Sequence, residues 1–152
     1  MSELHDLLST YIYHINNQSP IYALRIGHWP AVYFSADESI GAVTANPDSN
    51  EFIQVNAIDP EDLIFVILDS PTSASGLYCT SSALYVEARH NIDTSIMLKF
   101  DDIKSIDHDK AFNICHITTK NGKTVRLSSD IWNNTALFNF LAYMLELRSK
   151  LL

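Results

Sequence analysis

At 152 residues the chain is long enough for one domain with a single core and too short for two ordinary ones. Its 47% hydrophobic and 18% charged residues mark a globular rather than a disordered chain, and 18 acids against ten bases leave a net charge of -8. That balance argues against nucleic-acid binding, which needs a basic surface to neutralise phosphates.

Residues 3 to 18 predict a helix, because Leu4, Leu7, Leu8, Tyr11, Ile12 and Ile15 recur at the spacing of one apolar stripe. Ser2 suits an N-cap, Glu3 and Asp6 sit where the helix dipole favours acids, and Asn16, Asn17, Ser19 and Pro20 end the run. His5 and His14 fall off the stripe and are expected in solvent. Ile21 to Ile26 predicts a strand stopped by Gly27 and Pro30, with a second short strand over Ala31 to Phe34. Asp37 to Ala45 suggests a helix that Asn46-Pro47-Asp48 terminates, and Phe52 to Val55 a short extended piece.

From residue 59 the texture changes. Asp59-Pro60-Glu61-Asp62 is a turn into Leu63 to Leu68, a buried strand by length and β-branching. After a loop over Pro71 to Ser75, Gly76 to Thr80 and Ala83 to Glu87 form a hairpin around Ser81-Ser82. Ser95 to Phe100 is a further strand, and Asp101-Asp102 turns into Ile103 to Asp107. Phe112 to Thr119 alternates two faces. Asn121-Gly122 then tolerates the positive φ of a tight turn into Thr124 to Leu127. A helix over 135 to 151, capped by Asn133 or Asn134, presents Leu137, Phe138, Leu141, Met144, Leu145 and Leu152. Phe140, Leu147 and Leu151 widen that stripe, which suits covering a sheet rather than a membrane surface, since only Arg148 and Lys150 are basic.

Seven antiparallel strands followed by one amphipathic helix is the order of the pleckstrin-homology-like (PH-like) fold. Gly76-Leu77-Tyr78-Cys79-Thr80-Ser81-Ser82-Ala83-Leu84-Tyr85-Val86 resembles the glycine, apolar run, threonine, short turn, leucine-tyrosine hairpin of bacterial PH-like proteins. Leu98 to Ile106, with Asp102-Ile103-Lys104-Ser105 at its centre, resembles their aspartate-isoleucine-lysine-serine-apolar strand entry, and Asn121-Gly122-Lys123 the hairpin before their last strand. The resemblance covers about residues 60 to 150. It implies an α+β chain: a PH-like antiparallel barrel or bent sheet of about seven strands capped by a C-terminal helix over 59–152. Residues 1–58 are then an appendage of one helix and short strands packed on that barrel. Phosphoinositide-binding PH domains use Lys and Arg on their first hairpin, whereas no base occurs here between Arg25 and Arg89.

No catalytic, cofactor or metal constellation is legible. The six histidines lack ligand spacing, and Thr72-Ser73-Ala74-Ser75-Gly76 lacks the first glycine of a nucleophile elbow. Cys79 and Cys115 sit inside strands without basic neighbours and are expected as small core residues. Four dispersed glycines make no phosphate loop, and the paired acids fall at turns. No run approaches the ~18–20 apolar residues of a membrane span. The N-terminus shows no basic signal region, and two cysteines make no disulfide framework. A cytoplasmic protein with reduced thiols is expected.

Charge and aromatics carry the functional expectation. Residues 1–75 hold ten acids and one base, a net of -9, whereas residues 76–152 hold nine bases and eight acids. Aromatics crowd the first 34 residues, and Trp29 in His28-Trp29-Pro30 is expected on an exposed loop. An acidic rim with Trp and Tyr anchors suits a protein interface. The expected site is Trp29, Tyr33, Asp37, Glu38, Asp48 and Glu51, and the expected partner a basic protein. One instance is a non-catalytic immunity protein occluding a basic toxin. The competing reading is a PH-like adaptor or small-ligand module of a larger assembly, and homodimerisation through an uncovered strand edge fits either.

Overall fold

The computed structural model describes residues 3–18, 23–87 and 96–151. Its elements are α1 (Glu3–Gln18), β1 (Ala31–Phe34), α2 (Gly41–Ala45), α3 (Pro47–Val55), β2 (Leu63–Leu68), β3 (Gly76–Thr80), β4 (Ala83–Val86), β5 (Ile96–Lys99), β6 (Ile103–Asp109), β7 (Ile114–Thr119), β8 (Thr124–Leu127) and α4 (Asn134–Leu151). Short 3-10 turns at Pro60–Asp62 and Phe100–Asp102 lead into β2 and β6. The expected Ser2 cap, the first residues of the Ile21–Ile26 strand, Ser95 and Leu152 lie outside the described residues.

Two antiparallel sheets form the α+β architecture: β1-β2-β3-β4-β5 and β6-β7-β8. The sheets are not joined into a closed barrel, and the C-terminal helix lies across them. β2 reads as an unbroken apolar run because both its faces are buried. Phe65 and Ile67 face the main core, while Leu63, Val66 and Leu68 face a smaller cluster under α2 and α3. A bulge between Leu63 and Phe65 shifts the register against β3. At the other end of the pair β2 and β3 approach so closely that a Cβ on Gly76 would lie 1.8 Å from the Ile67 carbonyl oxygen.

The main core lies between the two sheets and is closed by helices. Leu4, Leu8 and Ile12 enter from α1; Ile117, Val125 and Leu127 come from the second sheet. Leu137, Phe140, Leu141 and Met144 form the buried stripe of α4 at i, i+3, i+4, i+7. Phe140 meets Phe65 edge to face at 5.1 Å, and Tyr11 of α1 stacks on Tyr143 of α4 at 4.0 Å. Asn133 caps α4, its side-chain oxygen accepting from the amides of Thr135 and Ala136. At the far end Arg148 donates to the Ser81 carbonyl at 3.0 Å and pairs with Asp101, tying α4 to the β3–β4 turn and the β5–β6 corner.

Four expectations need correction. The segment 23–26 is no strand: it makes one bridge, Arg25 to Trp132, flanked by bonds from the Ile26 amide to the Ile131 carbonyl (2.9 Å) and from the Asn133 amide to the Leu24 carbonyl (2.6 Å). Gly27 at φ 79° turns the chain away at once. The helix expected over 37–45 begins only at Gly41, since Glu38 has φ 65° and the Ser39 amide bonds the Asp37 carboxylate. Phe52 to Val55 is helical, not extended. Asn46-Pro47 starts α3 as well as ending α2: Asn46 caps it by accepting from the Asp48 amide, and Pro47 fits the first helical position. Finally, α1 is rotated from its expected face. Leu7 is exposed, and His5 is buried rather than solvated, its Nε2 donating to the Leu63 carbonyl at 3.0 Å.

Candidate functional site

The residues expected at an interface are held by the N-terminal third of the chain, over the outer face of the five-stranded sheet. α2 and α3 lie there because Val43, Ile53 and Ile58 need covering, and they bury themselves on Leu63, Val66, Leu68 and Tyr78. Phe52 stacks on Tyr78 at 4.5 Å. The polar sides of this helical layer are left to solvent.

Trp29 is 84% exposed, in a loop fastened on one side by the Arg25–Trp132 bridge and on the other by β1. Its large, rigid, amphipathic ring is open to solvent and free to contact a second surface. Tyr33 is half-buried against the small cluster, and that burial raises its phenol pKa above the usual tyrosine value. Asp37, Glu38, Asp48 and Glu51 are exposed, and none forms an ion pair among the described residues. Asp48 and Glu51 are three apart on α3 and share a side of it.

The six do not converge on one point. Asp37 and Glu38 follow Phe34, which pairs with Phe65, whereas Trp29 precedes Ala31, which pairs with Leu68 at the other end of β1. Asp48 lies toward the Trp29 end, because its cap Asn46 donates to the carbonyls of Pro71 and Ser73 in the β2–β3 loop. The arrangement is a broad acidic face with one aromatic at its edge.

Two thiols and one phenol of the core are held neutral. Cys79 and Cys115 are free, buried thiols. Burial first, and a nearby carboxylate second, pushes the Cys115 thiol up to about 12 and the Cys79 thiol well above its ordinary value. The Tyr78 hydroxyl, also raised by burial, donates to the Ala74 carbonyl at 2.7 Å. His108 lies 3.1 Å from the Asn113 side-chain oxygen and stacks on Phe138. Among the described residues no three His, Cys, Asp or Glu side chains gather as a metal site would need, and no helix is long and apolar enough to cross a membrane.

One feature escaped the sequence reading. A cleft of about 410 Å³ opens between β5 and the β7–β8 turn, where the two sheets part, with Lys99, Lys120 and Lys123 around it. Its residues are scattered over 96–125, and only the failure of the sheets to close brings them together. Comparison with protein-family models, curated proteins and solved structures returned no match to this chain.

Proposed function

We propose that the chain is a PH-like binding module without catalytic chemistry, and that its acidic helical face docks a basic protein. The strand order supports the PH-like reading: β2 to β5 stand consecutively in one sheet, β6 to β8 form the other, and α4 follows. The observation that carries the docking reading is Trp29, 84% exposed at the edge of a face bearing exposed Asp and Glu side chains. The aromatic would supply contact area and the acids long-range attraction. An immunity protein that covers the basic active site of a toxin is the instance this chemistry fits most directly.

The test is capture from a lysate of the source organism with three proteins: the native chain, Trp29→Ala, and a variant carrying Asp37→Asn, Glu38→Gln, Asp48→Asn and Glu51→Gln. The expected result is one basic protein held by the native chain, released by high salt and lost with both variants. If that protein arrests growth when expressed alone, co-expression of the native chain should restore growth. Capture that is indifferent to salt and to both variants overturns the reading.

A further inference from the structure

The five-stranded sheet ends at β5, on the side away from β1. The Phe100 amide donates to the Ser82 carbonyl at 2.9 Å, and Ala83 lies opposite Lys99. In an antiparallel ladder, hydrogen-bonded pairs alternate with pairs whose amides point away. Leu98 and Ile96 therefore bond to β4, while the N–H and C=O groups of Met97 and Lys99 face outward. No strand among the described residues lies along that edge.

The edge is one wall of the cleft of about 410 Å³. The opposite wall is the β7–β8 turn, held in place by the bond from the Lys120 amide to the Asp102 carbonyl and from the Thr119 hydroxyl to the Lys123 carbonyl. Leu98 and Val125 contribute apolar surface, and Met97 is half-exposed beside them. Lys99, Lys120 and Lys123 are exposed with no carboxylate partner among the described residues. Asp102 is the one acid on the lining, in a chain of net charge -8.

We propose that this cleft binds an extended acidic segment of a partner protein, which adds to the sheet as a strand beside β5. The outward amides would supply the ladder, and the three ammonium groups the selection for acidic side chains. Lysines on a strand edge also deter edge-to-edge pairing with a second copy. The same charges that repel a basic edge attract an acidic one, and the facing wall makes a seat that a merely guarded edge lacks.

The probe is a fluorescent decapeptide alternating Glu and Val, with two controls: its Lys/Val counterpart, and the Glu/Val peptide N-methylated on alternate residues to remove its donors. The native chain should bind the acidic peptide saturably and slow hydrogen exchange at the Met97 and Lys99 amides. N-methylation should weaken binding by about tenfold or more, the equivalent of about one hydrogen bond to a buried site. Lys99→Gln removes the charge and keeps the amide; Lys99→Pro removes both. The Lys99 φ of -75° suits proline, and edge strands accept it. With an unfolding midpoint like that of the native chain, the proline variant should bind more weakly than the glutamine variant. Absence of saturable binding, equal binding of the N-methylated peptide, or displacement by inorganic phosphate without amide protection overturns the proposal. So does protection of the same two amides by self-association in the absence of peptide.

Discussion

His5 and Ser9 sit one helical turn apart on the buried side of α1, and their opposite situations give opposite expectations. The His5 ring joins α1 to β2 through the Leu63 carbonyl. His5→Ala leaves that carbonyl unpaired and should lower stability by about 1–3 kcal/mol in a denaturant titration. The Ser9 hydroxyl is buried without a hydrogen-bond partner. Ser9→Ala removes that desolvation cost and adds helix propensity, so the unfolding free energy should rise by about 1 kcal/mol. The thiols extend the argument to pH. Cys115 is raised from 9.0 to about 12, so above pH 9 the unfolded chain sheds this proton while the folded chain keeps it. Stability from this group is full below pH 9 and lost as pH rises toward 12. Cys79 adds in the same direction. Unfolding free energy should fall over that window, and a thiol reagent at pH 8 should react only after denaturation. Of this layer the sequence showed the cysteines, whose strand setting is local, and not His5, whose partner is 58 residues away.

At the scale of elements, legibility followed the source of each element's stability. The seven strands from β2 to β8 and α4 were readable because alternation, turn residues and apolar stripes all agree locally. The stretch from 35 to 56 was not, because its two short helices depend on tertiary cover: Val43 and Ile53 are buried in a cluster with Leu63, Val66, Leu68 and Tyr78 of strands that follow. Asn46-Pro47 carries both a stop and a start signal and serves as both, with Asn46 also tying the junction to the β2–β3 loop. Asn46→Ala should therefore cost more than a surface cap, at or above about 1–2 kcal/mol. Amide exchange should accelerate first in α3 and at Thr72 and Ser73. Acceleration spread evenly over the molecule would mean that the cap acts on global stability alone.

For the whole molecule, the question is whether residues 59–152 fold without what precedes them. The sequence read alone suggests no more than an appendage before residue 59. The packing ties the two parts closely. β1 lies along β2 with four residue pairs, and Leu4, Leu8 and Ile12 of α1 are part of the main core. Val43, Ile53 and Ile58 cover the outer face of β2 and β3. Removing residues 1–58 would uncover Leu63, Val66, Leu68 and Tyr78, all fully buried in the native chain. At about 1.5–3 kcal/mol for each side chain returned to water, the loss is on the order of the whole stability of a domain. It would also leave β2 as an apolar edge strand, the feature most prone to intermolecular pairing. A chain of residues 59–152 should thus be recovered as aggregate or oligomer, while the full chain unfolds in a single transition. A monomeric 59–152 with dispersed amide resonances would show instead that the strands and α4 hold together alone, and that the N-terminal third is added for its acidic face.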